Sequence, residues 1–419
     1  MEKNKIKVLY LTYYYAPQNT VAAFRALKFT KYMPENSIIP YIFTSKNNIH
    51  SNSNLISDIP SEAVIFRKKS NLDSNKVYSL PITSTKSLKT KIKTILRDTF
   101  FSPDKYIWWF LSSIPQLIRI INKEKIDIIL ATGGPFSSNI CAFLLKKFCH
   151  TPIVLDFRDP WKDNVVFTKQ SFFRNFINSC WEKKCIQSAD GVISVTSEIV
   201  STLKKYHTTA IFETITNGFD PEDFININMN EQSKKFVFLY TGKYSINLEN
   251  YNPQTVILSF IKFIESMNYL NVILVLIGKT DSETLNYIES FNSEHIQCYS
   301  VMNKNDVLLW QKKSNVLIHF HYPRVLTNAI AMKIFEYAAH GKPIISFNIK
   351  EGCLFELLEK YNLGETASSH DIDEMIGLFE KAYSNELRFG MTSLEELVHY
   401  SFINLTSRLA GLLRRIAKQ

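Results

Sequence analysis

One carboxylate, Glu336, lies between two lysines, Lys333 and Lys342, in the stretch M-K-I-F-E-Y-A-A-H-G-K-P-I-I-S-F from Met332 to Phe347. A lysine is a compact point charge that suits phosphate. Two further lysines follow glycines, in Gly242-Lys243 and Gly278-Lys279. A separate set is Asp156-Phe157-Arg158-Asp159-Pro160-Trp161. Its Arg–Asp pair can hold hydroxyl groups, and Trp161 can stack on a sugar face. Asp156 reads equally as such a group or as half of an internal ion pair. A third set, Thr132-Gly133-Gly134-Pro135-Phe136, joins small residues to a following helix. Glycines there allow close backbone approach, and the helix N-terminus offers N–H groups to an anion. Arg25 reads as a phosphate contact or as an arginine on a helix surface.

Each set sits where a strand ends. Lys7–Thr12, Ile39–Thr44, Asp127–Ala131, Ile153–Phe157 and Gly191–Val195 read as short buried strands, with helices over Val21–Met33 and Ser138–Phe148. The pattern restarts with strands Phe236–Thr241, Asn271–Gly278, Val316–Phe320 and Ile344–Phe347 and a helix over Pro253–Met267. Buried strands alternating with helices predict parallel doubly wound sheets, whose ligands gather at the carboxyl ends of strands. In the Met332–Phe347 stretch, Ile334, Phe335 and Ala338 mark an apolar helix face. Gly341 is placed as a left-handed C-cap, and Pro343 is a breaker. Turn residues cluster in T-N-G-F-D-P-E-D-F (216–224), which reads as the linker. The expected division is 1–216 and 217–395. An amphipathic helix over Phe402–Ile416, carrying Leu405, Leu409, Leu412 and Leu413, lies within a final segment 396–419.

The Met332–Phe347 stretch resembles the nucleotide-sugar clamp of family 4 glycosyltransferases, which have the GT-B fold. Their pattern is close to K-x-x-E-Y-x-A-x-G-K-P. The D-F-R-D-P-W string resembles a subgroup that makes bacterial surface polysaccharide, and N-G-F-D-P-E-D-F resembles the family's interdomain segment. The resemblance implies two facing Rossmann-like domains, with 396–419 returning onto the first. It implies a retaining transferase moving a sugar from a nucleotide sugar, a UDP-sugar by expectation, to a lipid-linked or oligosaccharide acceptor. Glu336 would hold the donor ribose. Gly242, Gly341, Arg324 and Asn328 would line the donor site, and Lys243 with Lys333 would neutralise the leaving diphosphate. Arg158 and Asp159 would act at the reaction centre. Asn19, Thr20, Gly133, Gly134 and Trp161 would meet the acceptor. No metal or cofactor is expected. The chain departs from the family pattern in three places. Asn19-Thr20 replaces a glycine pair, Asn328 stands where the first acid of a two-glutamate motif belongs, and no histidine follows the first domain's glycines. These departures keep a GT-B sugar-nucleotide epimerase, or a non-catalytic binder of nucleotide sugar or glycan, as alternatives.

The chain has 419 residues, 45% hydrophobic and 21% charged, in keeping with two soluble globular domains. No run is long and apolar enough for a membrane span. The charged N-terminus lacks a signal-peptide core, so a cytoplasmic protein is expected, peripheral on the inner membrane face. Residues 1–215 carry 30 Lys and Arg against 16 Asp and Glu, a net charge of +14, while the remainder carries −4. A basic first half suits an anionic partner. No nucleic-acid motif is present, so an anionic membrane or a pyrophosphate-bearing acceptor fits. Lys86–Trp109 reads as a basic amphipathic helix followed by aromatics, with Leu88, Ile92, Ile95, Leu96 and Phe100 on one face. The alternative is that this face, with Trp108 and Trp109, packs on the first domain. Six cysteines, none in a C-x-x-C pair, read as buried free thiols.

Overall fold

The computed structural model describes residues 5–46, 53–70, 72, 99–162, 172–206, 209–225, 233–248, 252–267, 271–320, 329–348, 350–390 and 395–418. The chain forms two compact units. One comprises Met1–Thr216 with Phe402–Gln419, and the other Asn217–Ser401.

The first unit is built on a seven-stranded sheet. Its strands are β1 (Ile6–Leu11), β2 (Ile38–Lys46), β3 (Val64–Lys69), β4 (Ile128–Thr132), β5 (Ile153–Phe157), β6 (Gly191–Ser194) and β7 (Ile211–Thr214). They lie in the order β3-β2-β1-β4-β5-β6-β7, and every pair is parallel. The chain steps outward from β1 to β3, then resumes on the other side of β1 with β4. That reversal opens the topological switch point between β1 and β4, where the loops after both strands emerge. Three helices frame it: α1 (Val21–Tyr32), α2 (Ser137–Cys149) and, at the end of the chain, α5 (Phe402–Ala417). Leu405, Leu409, Leu412 and Leu413 of α5 are all buried. A Cβ on Gly191 would come within 2.6 Å of Ile416 Cδ1, so glycine in β6 lets α5 lie close on the sheet. Phe29 of α1 meets Phe402 edge to face at 5.5 Å.

The second unit has six parallel strands: β8 (Phe236–Thr241), β9 (Val272–Ile277), β10 (Ile296–Tyr299), β11 (Val316–Phe320), β12 (Ile344–Asn348) and β13 (Gly364–Ser368). Their order is β10-β9-β8-β11-β12-β13, so the switch lies between β8 and β11. Helices α3 (Lys304–Lys313) and α4 (Met332–Ala339) flank that point. This unit extends past the expected boundary at 395, as far as Ser401. Tyr400 packs on Phe335 at 5.0 Å and accepts the Phe219 N–H, which keeps the 396–401 segment with the second unit.

One expectation needs correction, and another falls largely outside the described residues. Cys180 is exposed, whereas Cys141, Cys185 and Cys353 are buried; all six thiols are free. Of the Lys86–Trp109 segment, Leu88, Ile92, Ile95 and Leu96 lie outside the described residues. Trp109 is core and Trp108 is exposed. Among the described residues no helix is long and apolar enough to cross a membrane.

Candidate functional site

In the second unit the end of β8 is shaped by two glycines. Gly242 and Gly278 have φ of +139° and +150°, a region that glycine tolerates and other residues avoid. A Cβ on Gly278 would lie 1.9 Å from Gly242 O, so the turns after β8 and β9 can cross only with glycine there. The Gly242 N–H donates to Ile277 O at 2.8 Å, which fixes the crossing.

Helix α4 is docked onto this turn by two side chains one helical turn apart. Lys333 Nζ donates to Thr241 O at 2.9 Å and lies 3.9 Å from the centre of the Tyr240 ring. That ring stacks on Phe320 at 3.9 Å. The Tyr337 hydroxyl accepts the Thr241 N–H at 3.0 Å and shares a hydrogen bond with Thr241 Oγ1 at 2.9 Å. A Cβ on Gly242 would lie 2.9 Å from Lys333 Nζ, so the glycine also makes room for the ammonium. Burial drives the Lys333 pKa down to about 7, while Glu336 pulls it upward. Glu336 is partly exposed, and Lys304 Nζ lies 3.8 Å from its Oε1. Lys304 also pairs with Asp223. The unit thus presents a titratable cation and an accessible carboxylate on one short helix. The N-cap residue of α4 is Ala331, which makes no side-chain cap.

The other donor-side residues fall out differently. Lys243 is exposed on the turn after Gly242, and its carbonyl accepts the Tyr240 hydroxyl at 2.9 Å. Arg324 and Asn328 lie outside the described residues. Gly341 follows the C-cap residue His340 of α4, with φ +60° and its N–H on Ala338 O at 3.0 Å. It lies at the far end of the helix from Lys333. Burial, with Lys312 and Lys342, lowers the His340 pKa to about 4, so this ring is neutral near pH 7. Tyr337 and Lys304 were missed in the sequence. For Tyr337 the available signal was its spacing of four from Lys333. Lys304 carries no local signal.

In the first unit most of the expected acceptor residues are knitted into the fold. Asp156, at the end of β5, is fully buried and holds Arg25 through two contacts of 3.1 Å. Arg25 also donates to Ile215 O at 2.8 Å and Thr216 O at 2.7 Å, so it is a core residue and not a helix-surface one. Arg158 donates to Gly133 O at 3.1 Å and Gly134 O at 3.0 Å. Gly134 has φ +85°, and a Cβ there would lie 2.5 Å from Arg158 Nη2. Gly133 leaves room for Phe136, on which Trp161 stacks at 4.9 Å. Trp161 is completely buried, so it packs the loop and offers no face to a sugar. The N-terminus of α2 is taken as well. Asp104 accepts the Ser137 N–H at 3.0 Å and pairs with the Ser137 hydroxyl, displacing the anion expected there. Thr20 caps α1 by accepting the Ala23 N–H at 3.2 Å. Asn19 and Asp159 are each half-buried in the loops after β1 and β5.

A family model described as Glycosyltransferase Family 4 matches residues 80–223. None of the curated proteins matches the chain. Among solved structures, sucrose-phosphate synthase from Thermosynechococcus elongatus is similar at 11% identity and a TM-score of 0.67, over 98% of this chain and 99% of that one. An E. coli trehalose-6-phosphate protein bound with UDP-2-fluoro glucose shows 11% identity and a TM-score of 0.66, over 98% and 99%. The fold is GT-B. UDP-GlcNAc 2-epimerase from Neisseria meningitidis, bound to UDP-GlcNAc, is similar at 12% identity and 0.61, over 98% and 100%. In this GT-B chain the two Rossmann-like units each have a switch point in their sheet. The second unit's point carries Lys333 beside Gly242, with Glu336 on the same helix.

Proposed function

We propose that the protein is a retaining glycosyltransferase whose second unit binds a nucleotide sugar. The observation that carries this reading is the pairing on α4. Lys333 is held at the end of β8 with its pKa near 7, and the Glu336 carboxylate stands one residue short of a full turn away. A diphosphate placed over the α4 N-terminus would meet the positive end of the helix and the Lys333 ammonium together. Charge develops on that diphosphate as the sugar leaves, and a fixed cation there lowers the barrier. Exposed Lys243 is the second cation of this reading. Glu336 accepts from the two ribose hydroxyls, a task for a carboxylate, which is acceptor-only when ionised. No metal is required in this scheme.

The donor is a UDP-sugar, a reading supported by the UDP-sugars held in two of the similar structures. The acceptor is a lipid-linked saccharide at the inner membrane face, in the synthesis of capsule, O-antigen or exopolysaccharide. That choice is supported by the D-F-R-D-P-W resemblance and by the basic first unit. Asn19, Gly133, Gly134, Arg158 and Asp159 lie at the strand ends that would meet it. Purified protein given a panel of UDP-sugars and a lipid-linked saccharide fraction should release UDP only when acceptor is present. Lys333→Ala and Glu336→Ala should each lower that turnover by roughly 10²–10³-fold. Wild-type turnover in both variants would refute the assignment. An altered sugar formed without acceptor would replace the transferase with an epimerase.

A further inference from the structure

The first unit leaves a set of large aromatic side chains in solvent. Phe172, Phe173 and Phe176 open the helix Phe172–Ser188, and Phe172 is 88% exposed. Phe100, Phe101 and Trp108 are also exposed and gather into a cluster of their own. The Phe100 ring lies 4.4 Å from Trp108 and 5.2 Å from Phe101, and Trp108 Nε1 donates to Phe100 O at 2.9 Å. The two trios are joined through their own segments. Ser102 Oγ is 2.9 Å from Asn178 Oδ1, and Arg174 Nη2 donates to Pro103 O at 3.1 Å. Six exposed aromatics on two hydrogen-bonded segments form a patch of the kind that marks an interaction surface.

The charge around them selects the partner. The first unit carries 34 Lys and Arg against 16 Asp and Glu, a net charge of +18, whereas the second carries 15 against 23, or −8. The only acid in the helix, Glu182, is buried and accepts the Lys162 N–H at 3.1 Å. Asp104, near Trp108 in sequence, is spent on the N-terminus of α2. Lys183 and Lys184 are exposed. Exposed aromatic rings with exposed lysines on the same helix, in a unit of net charge +18, suit the interfacial zone of a bilayer carrying negative headgroups.

We propose that this surface docks the protein on an anionic lipid bilayer. The six aromatics enter the headgroup zone, and Lys183 and Lys184 face anionic headgroups. The inference builds on the lipid-linked acceptor of the reading above, yet its test needs neither nucleotide nor sugar. The full chain is sedimented with phosphatidylcholine vesicles, alone or with about a third phosphatidylglycerol. The wild type should favour the anionic vesicles by roughly tenfold or more, less so as salt rises. The triple variant Phe172→Ser/Phe173→Ser/Phe176→Ser should lose about tenfold or more of that binding while keeping its melting transition and its response to UDP. Should the triple variant misfold, Phe100→Ser/Trp108→Ser is read in its place with the same expectation. Lys183→Glu/Lys184→Glu should erase the preference for phosphatidylglycerol. Wild-type protein that stays in the supernatant, or a folded triple variant that binds as wild type does, would overturn the inference. So would self-association abolished by the triple variant without any vesicle binding, which would assign the patch to a second copy. An intact UDP response alongside absent vesicle binding would refute this inference and leave the donor site standing.

Discussion

Asp156→Ala should lower the stability of the first unit by about 3–5 kcal/mol, because it strands a buried guanidinium without its counter-charge. Arg25 and Asp156 are 1% and 0% exposed. Their two 3.1 Å contacts are supplemented by Thr132 Oγ1 on Asp156 Oδ2 at 3.1 Å, and Arg25 lies 4.7 Å over the Phe29 ring. The same guanidinium holds the carbonyls of Ile215 and Thr216, the last residues of the unit before the chain leaves it. Removing the carboxylate therefore costs more than one interaction. Removing both partners in Arg25→Met/Asp156→Leu should cost less than the sum of the single changes, since no charge is left unpaired. Urea unfolding followed by tryptophan fluorescence can read this unit selectively, because Trp108, Trp109, Trp161 and Trp181 lie in it and only Trp310 lies in the other. Single variants within about 1 kcal/mol of wild type would show that the pair is not the anchor described.

The second large effect concerns pH. An exposed lysine titrates at 10.5, but burial lowers Lys333 to about 7. Between those values the unfolded chain holds a proton that the folded chain has released. Stability from this group therefore rises with pH across that window, and the full cost of the buried charge is felt below about pH 7. Binding runs the other way. A diphosphate beside Nζ favours the ammonium and raises its pKa, so binding takes up a proton. Affinity for a nucleoside diphosphate should fall by on the order of tenfold per pH unit as pH rises above about 7. Titration calorimetry in two buffers of different ionisation enthalpy measures that proton uptake directly. Lys333→Arg should bind without it, because arginine stays charged. Equal binding heats in both buffers for the wild type near pH 8 would contradict the role given to Lys333.

The central strands were legible because both their faces are buried. V-I-L-V-L-I and I-V-L-D-F are nearly continuous apolar runs, as central parallel strands must be. The edge strands were not. β3 (V-I-F-R-K-K), β7 (I-F-E-T), β10 (I-Q-C-Y) and β13 (G-E-T-A-S) have one side against solvent, so their polar residues break the run. The donor helix could be read locally, since Lys333, Glu336 and Gly341 all lie within one turn-and-cap pattern. The first unit's site could not. Arg25 meets Asp156 across 131 positions of sequence, and Asp104 reaches Ser137 across 33. No local spacing announces either pair. Trp161 looked available for a sugar because nothing in the sequence places Phe136 beneath it.

Thermal unfolding with and without UDP, in the absence of divalent metal, tests the donor assignment most directly. A ligand that binds only the folded state must raise the melting temperature. UDP should do so for the wild type, and the shift should vanish in Glu336→Ala and in Lys333→Ala while their own melts remain cooperative. A UDP shift of wild-type size in both variants, or no shift in the wild type with UDP, GDP, dTDP, ADP or CMP, would contradict it.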